Sequence, residues 1–494
     1  MKFQSTRDKN EIKYTSAQVI KQGLAYDGGL FVPDSIPTLT QDEIRTYTSL
    51  SYPELAANVL SKFLTDYTYE ELLADASAAY SKESFSPDPC PLAEVDKRTY
   101  SLELWHGPTC AFKDMALQIM PRLLSRALTK TGETREALVL VATSGDTGKA
   151  ALEGYKDIDR IKISVFYPEN GVSTVQKLQM TTQTGNNVNV CAVKGNFDDI
   201  QTGVKHIFSD DKIATELNEK GVFLSSANSI NFGRLAPQIV YYIKAYCDLL
   251  NAQKIRLGDS INVCVPTGNF GNILAAYIAK LMGLPINKLI CASNSNNVLT
   301  DFFNTGRYDR NRPFHLTSSP SMDILISSNL ERLLYFIAGS EKTLEWMESL
   351  NTNGYYQIDS ATKKIIDDNF VGFFADEYDT ATSIKNNFEK NQYLMDTHTA
   401  VAFSALESYR KASGDNTLCV VASTASPFKF AKDVYESIWG NSNGGSLMAL
   451  DMLANNSGAQ IPDPLKDLDK RPVNFRSVVD PQAMYGEVLN FLKK

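Results

Sequence analysis

Two hydrophobic patterns alternate along most of the chain. One is a short apolar run, largely β-branched, with no polar alternation: ALVLVAT (Ala137 to Thr143), KISVFYP (Lys162 to Pro168), VNVCAV (Val188 to Val193), INVCVPT (Ile261 to Thr267), KLICAS (Lys288 to Ser293) and TLCVVAS (Thr417 to Ser423). Runs apolar on both faces predict strands of a parallel sheet that is covered on each side. The other pattern is helical and follows a glycine-rich loop: SGDTG leads into KAALEGY, and GNFGN leads into ILAAYIAKLMG. Strand, loop and helix in repeated succession predict an α/β fold, in which ligands bind beyond the carboxyl ends of the strands.

Before about Lys97 the pattern differs. SYPELAANVLSKFL, from Ser51 to Leu64, predicts an amphipathic helix with Ser51 or Tyr52 near its cap and Pro53 in its first turn. GGLFVPDSIP, from Gly28 to Pro37, predicts an extended loop, and the three prolines of SFSPDPCPL, from Ser84 to Leu92, mark a domain boundary. Apolar positions Ala116, Leu117, Met120, Leu123, Leu124 and Leu128 predict a helix just after Lys113. From about Asn296 to Asn391 the chain is richer in Asn, Ser, Tyr and Phe and predicts mostly helix, as in DILISSNLERLLYFIAG.

Composition narrows the function. A chain of 494 residues with 43% hydrophobic side chains has room for two or three cores. The 49 Lys and Arg against 57 Asp and Glu leave a net charge of −8, which argues against sequence-independent nucleic-acid binding. An anionic ligand must then be held by a local pocket. The polar start lacks the features of a secretory signal, and no apolar run approaches a membrane span. Seven scattered cysteines, most inside apolar runs, read as buried free thiols in a reducing compartment. Four histidines far apart argue against a His-rich metal centre. The expectation is a cytoplasmic protein without metal, membrane or nucleic acid.

Candidate chemistry lies in one lysine and three loops. Lys113, in WHGPTCAFKDMALQ, falls at a helix start, where the helix dipole disfavours its charge. Desolvation there would depress its pKa and leave a nucleophilic amine; a lysine reaching out to solvent is the alternative. Gly268, Asn269, Phe270, Gly271 and Asn272 form a strand-to-helix loop whose N–H groups can converge on an anion, or simply a tight turn. Ser144, Gly145, Asp146, Thr147 and Gly148 occupy the equivalent place after Ala137 to Thr143, where helix capping is the structural alternative. Ser423, Thr424, Ala425, Ser426 and Pro427 make a third such loop.

HGPTCAFKDMALQ, TSGDTGKAALEGY, SINFGRLAPQ, PTGNFGN and ASTASPFKF resemble the signatures of the threonine synthase family, pyridoxal-phosphate enzymes of the tryptophan-synthase-β group (fold type II). STRD, GLAYDGGLFVP, LTSSPSMDILISSNLERLL and DTHTA add to the resemblance, which runs from the first residues to about Phe430. It is closest to the long bacterial and fungal form, without the N-terminal extension of the plant enzyme. The resemblance implies a fold type II enzyme with parallel-sheet domains, an added N-terminal domain and a helical insertion. The expected division is 1–97 for the N-terminal domain and 136–205 for a small α/β domain. A large cofactor-binding domain takes 98–135 and 206–494, with the insertion at about 296–391.

The implied cofactor is pyridoxal 5'-phosphate, and the implied substrate is O-phospho-L-homoserine, converted with water to L-threonine and phosphate. Lys113 would hold the cofactor covalently and serve as the base. Gly268 to Asn272 would cradle its phosphate, Thr424 would meet its ring nitrogen, and Asp146 its 3′-oxygen. Ser144, Gly145, Asp146 and Thr147 would line the substrate carboxylate. Asn228, Ser229 and Arg234 would hold the substrate phosphate, with Asn231 clustered beside them. A monomer or homodimer is expected. The rival reading is another fold type II lyase, a threonine or serine dehydratase or a phosphothreonine lyase. Two departures from the family pattern stand out. Asn272 replaces a frequent Asp, expected to matter little, and Ser426 replaces a His. His106 reads as an orienting partner, His398 as the anchor of a helix start, and Tyr241 and Tyr242 as core.

Overall fold

The computed structural model describes residues 1–9, 12–85, 88–143 and 145–493. The apolar runs form two separate sheets. A six-stranded sheet has the order Phe370–Phe374, Ile286–Ser293, Ile261–Pro266, Cys419–Ser423, Thr99–Glu103, Leu92–Asp96. All neighbours in it are parallel except the last pair, which closes as an antiparallel hairpin. Its central strands Ile261–Pro266 and Cys419–Ser423 are buried at every residue, as continuous apolar runs require.

A five-stranded, wholly parallel sheet has the order Val478–Val479, Val188–Val193, Ile161–Pro168, Glu136–Ala142, Val222–Ser225. The chain's C-terminal segment thus returns to this sheet: Ala192 donates to the Ser477 carbonyl and Lys194 to that of Val479, and the helix Met484–Leu492 packs there through Met484, Val488 and Phe491. The N-terminal segment is helical around one small hairpin, Phe3–Ser5 with Phe31–Pro33. GGLFVP is therefore partly a strand rather than only a loop. The helix Tyr52–Phe63 starts at Ser51 with a reciprocal Ser51–Glu54 capping box, which satisfies the otherwise orphaned first-turn donors.

Two helical expectations are modified. The helix after Lys113 is broken into Asp114–Leu117 and Met120–Lys130, with Pro121 in the first turn of the second piece. DILISS is not helical; the helix begins at Leu330 and is kinked at Gly339, whose φ of 80° suits only glycine. The segment expected to be mostly helical also sends one strand, Phe370–Phe374, to the edge of the six-stranded sheet. All seven cysteines are buried and unpaired, and among the described residues no helix is long and apolar enough to cross a membrane.

Candidate active site

Three loops meet beyond the carboxyl ends of strands from both sheets. The turn after Thr99–Glu103 bridges to the loop after Cys419–Ser423 through Ala111 and Ala425, and the Phe112 N–H donates to the Thr424 carbonyl at 2.8 Å. Asp114 closes the turn beneath Lys113. Its carboxylate accepts from the Thr109 N–H and hydroxyl at 2.8 and 2.7 Å, and a Cβ on Gly107 would lie 2.7 Å from it. Burial still pushes the Asp114 carboxyl up to about 6.

Lys113 takes the N-cap position of Asp114–Leu117 and is 8% exposed, so it does not reach out to solvent. Its Nζ donates to Ser321 Oγ at 3.1 Å and lies 3.6 Å from Asp146 Oδ2. Burial lowers its pKa, Asp146 opposes this, and Lys429 and Arg234 add to it, leaving the amine at about 8. That is the state a nucleophilic or basic lysine needs. Asp146 opens the helix Asp146–Tyr155 and is itself buried. Burial disfavours its charge, yet Lys429 at 2.8 Å, Lys113 and the Gln176 amide at 3.0 Å hold its pKa far below the usual carboxylate range. Gly145 and Gly148 direct their N–H groups to Thr143 Oγ1, and Thr147 is half-buried at the same loop. Ser144 lies outside the described residues.

Among the described residues, the Gly268-to-Asn272 loop leaves its N–H groups free for an external acceptor. Its carbonyls are tied away: Ser327 Oγ donates to the Gly268 carbonyl at 2.6 Å, and Asn329 donates twice to that of Asn269. None of the N–H groups from Gly268 to Ile273 finds a protein acceptor among the described residues. Phe270, with a left-handed φ of 66°, turns the chain into the helix Gly271–Met282. Asn272 matters more than expected. Its Oδ1 accepts from the Tyr241 hydroxyl at 2.8 Å and from the Tyr242 hydroxyl, while its buried Nδ2 has no partner among the described residues. An aspartate there would offer no such donor. Unsatisfied buried donors at a helix start fit a phosphate group.

A second positive centre lies nearby. Arg234 is 6% exposed, donates from Nη1 to the Ala227 carbonyl at 2.9 Å, and has no carboxylate within ion-pair distance among the described residues. Burial lowers it to about 10 against an opposing effect of Tyr155, whose own buried hydroxyl is unpartnered. Ser229 is buried beside it in sequence, hydrogen-bonded to Asn228 at 3.2 Å and Asn329 at 3.4 Å, whereas Asn228 is exposed. Asn231 does not converge on this centre: its side chain caps at the Gly233 N–H and donates to the Ile20 carbonyl, which docks the N-terminal segment.

Several side chains were not read from the sequence. Lys429 is fully buried and bonded to the Thr109 carbonyl at 2.9 Å besides Asp146. Ser321 receives Lys113 and in turn donates its N–H to His398 Nε2 at 3.2 Å. His398 Nδ1 meets Asp396, the N-cap of Thr397–Ser413, at 2.8 Å, so this histidine both anchors a helix start and fixes the Ser321 turn. Arg332, fully buried, ties the Phe31 and Ile230 carbonyls to Asn329. Their partners are distant in sequence, and only the LTSSPSMDI and ASTASPFKF motifs that contain Ser321 and Lys429 flagged them. Thr424 is buried in its loop with no side-chain bond among the described residues, and Ser426 caps the turn Pro427–Phe430. His106 pairs with Glu103 at 2.8 Å and stacks on Trp105.

Three family models match successive parts of the chain. "Threonine synthase N terminus" covers residues 2–80, "Pyridoxal-phosphate dependent enzyme" 92–424, and "Threonine synthase, C-terminal" 399–486. The chain is 40% identical to human threonine synthase-like 1 over 87% of its own length, but spans only 58% of that relative. It is 38% identical to threonine synthase of Pseudomonas aeruginosa, over 84% of this chain and 86% of the other. The crystal structure of the pyridoxal-phosphate-bound threonine synthase from Brucella melitensis superposes with a TM-score of 0.89 at 35% identity, covering 100% of both chains. The chain belongs to the threonine synthase family of pyridoxal-phosphate dependent enzymes.

Proposed function

We propose that this chain converts O-phospho-L-homoserine and water to L-threonine and phosphate, using pyridoxal 5'-phosphate. The observation that carries this reading is the pair of anion sites around one buried amine. The loop amides from Gly268 to Ile273 and the unpaired Arg234 flank Lys113. One cofactor phosphate needs one such site. A second, built on a buried guanidinium, suits a substrate that carries its own phosphate, which a serine or threonine dehydratase does not have.

In this reading Lys113 holds the cofactor, the Gly268-to-Asn272 loop holds its phosphate and Thr424 faces its ring nitrogen. Bound pyridoxal phosphate supplies an electron sink for negative charge developing at the substrate's α-carbon. The freed Lys113 amine removes the α-proton, which its lowered pKa of about 8 allows near neutral pH. Arg234 pairs with the phosphate ester at the γ-carbon and stabilises its departure. Loss of a β-proton and of phosphate leaves an unsaturated chain; a proton is delivered to the γ-carbon, which becomes the methyl group, water adds its hydroxyl at the β-carbon, and Lys113 returns a proton to the α-carbon. Ser144, Gly145, Asp146 and Thr147 line the substrate carboxylate, Asp146 with its backbone only, since its own carboxylate is ionised and held by Lys429. A monomeric or homodimeric state and a cytoplasmic location belong to the same proposal, the last supported by seven buried thiols. So does the domain division, redrawn so that Leu92–Asp96 joins the large domain and the segments holding Val222–Ser225, Val478–Val479 and Met484–Leu492 join the small one, whose sheet they complete.

The test is to follow phosphate release and threonine formation together from O-phosphohomoserine. Equal molar yields support the reading. Ammonia and a keto acid from serine or threonine, with no phosphate chemistry, would assign the chain to the dehydratase group instead.

A further inference from the structure

Two lysines share one buried carboxylate. Lys429 Nζ is 2.8 Å from Asp146 Oδ1, and Lys113 Nζ is 3.6 Å from Asp146 Oδ2. The arrangement is unequal. Lys429 has no exposed side-chain surface and a second acceptor, the Thr109 carbonyl at 2.9 Å, whereas Lys113 is slightly exposed and turns its shorter bond to Ser321. Asp146 and Lys429 form a neutral pair, so a proton on Lys113 leaves the cluster with a net buried positive charge. Buried charge of that kind is unfavourable.

We infer that Lys429 is a positioning residue: it occupies Asp146 as a permanent ion-pair partner, so that the carboxylate stays ionised beside Lys113 without fixing Lys113 as an ammonium. The inference rests on the proposed role of Lys113 as the reactive amine. Without Lys429, Asp146 would have Lys113 as its nearest cation, and the salt bridge would hold the proton there. The loss of a like charge acts in the same direction. The other ionisable groups around Lys113 do not replace this function. Arg234 is positive but is not bonded to Asp146, Asp114 is engaged by Thr109, and His398 reaches Lys113 only through the Ser321 backbone.

The experiment is competitive acetylation of the full chain stripped of cofactor, with acetic anhydride across pH 6.5 to 11 and mass spectrometry of the Lys113 peptide. Lys113 should titrate near 8 in the unmutated chain. In Lys429→Gln its midpoint should rise by about one pH unit or more. The rate at which added pyridoxal phosphate regains its lysine-linked absorbance at pH 7 should then fall about tenfold, because the neutral fraction falls by that factor. Lys429→Arg should restore both readouts. An unchanged midpoint in Lys429→Gln, or an equal rise in Lys429→Arg, overturns the inference.

Lys429→Gln leaves Asp146 short of a partner and so endangers folding. The neutral pair Asp146→Asn with Lys429→Gln avoids a buried unpaired ion, and its Lys113 midpoint should stay near that of the unmutated chain, because the pair removed carries no net charge. A fall of about one pH unit or more would mean that Asp146 holds the Lys113 proton despite Lys429 and is the contrary result. Borohydride reduction of the reconstituted chain separates this from failure of the underlying reading. If the reduced cofactor is found on a lysine other than Lys113, the proposed role of Lys113 fails, whatever Lys429 does.

Discussion

The Gly268-to-Ile273 turn and Arg234 both offer positive potential to an anion, with different physics. The turn uses neutral backbone dipoles. Their donors are oriented by the fold because Ser327 and Asn329 hold the loop's carbonyls on the other side. No net charge is desolvated, so the empty turn costs less than a buried ion would, and it suits a group that stays bound. Arg234 carries a full charge in a buried position with one carbonyl for company, and burial lowers its pKa to about 10. It gains most when a dianion arrives and regains nothing comparable from a neutral ligand. A centre of that kind discriminates strongly and suits a group that must bind, leave and be replaced. Placing fixed dipoles at one anion and a mobile-ligand cation at the other divides retention from selectivity.

The largest effect comes from removing what stands between the two. Lys113→Ala should leave a folded chain with no lysine-linked cofactor absorbance and no threonine formation, since Lys429 is held by Asp146 and Thr109. Retained absorbance after dialysis contradicts that. Next, Arg234→Ala should lower kcat/KM for phosphohomoserine roughly 10- to 1000-fold, the range for loss of a charge-assisted pair. Cofactor affinity and slow turnover of unphosphorylated serine should hardly change. An equal loss on both substrate types would mean that Arg234 serves the fold or the cofactor, and the division drawn above would collapse.

The two glycines of the turn sharpen the comparison from its other side. A Cβ on Gly268 would stand 2.7 Å from the Ser321 carbonyl, so Gly268→Ala must displace the turn that also receives Lys113. A Cβ on Gly271 meets only the Asn329 and Gln238 amides, at 3.6 and 3.8 Å, which is ordinary contact. Gly268→Ala should therefore lower both thermal stability and cofactor affinity. Gly271→Ala should leave the melting temperature unchanged and weaken cofactor binding by a smaller factor, measured by fluorescence titration. The reverse order would place the anion elsewhere.

Much of this was legible because it is local. Glycine-rich turns after apolar runs announce the strand-to-helix loop from Gly268 to Asn272, and an apolar helix start places Lys113. The rest depends on contacts made across the fold. Lys429 meets Thr109 and Ser321 meets Lys113 over hundreds of residues, so neither charge balance nor partner can be read from neighbours. Asn231 shows the opposite failure: a polar residue beside a candidate anion site is consumed by a helix cap and a domain contact. The edge strand Phe370–Phe374 lay hidden within a segment whose composition otherwise reads as helix. The loop's backbone alone makes Asn272 a near-neutral replacement for aspartate; two tyrosines from a neighbouring helix decide which of its side-chain atoms is left free.

The smallest expected effect concerns stability, and its sign follows from the same electrostatics. Lys113 falls from an ordinary 10.5 to about 8 in the folded chain. Below about 8 both folded and unfolded chains hold the proton, and the folded state bears the whole cost of a buried ammonium. Between about 8 and 10.5 the folded chain has released the proton and the unfolded chain has not, so stability rises with pH. Above 10.5 neither carries it and the cost is gone. Lys113→Met, with a side chain of similar reach and no charge, should thus stabilise the cofactor-free chain at pH 7 by a margin that shrinks steadily toward pH 10. Asp146 keeps Lys429 throughout, so the substitution leaves no buried carboxylate without a cation. Urea unfolding of both chains at pH 7 and pH 10 measures the margin. A constant margin would make it a packing effect of methionine, and a margin that grows with pH would reverse the assigned direction of the Lys113 shift.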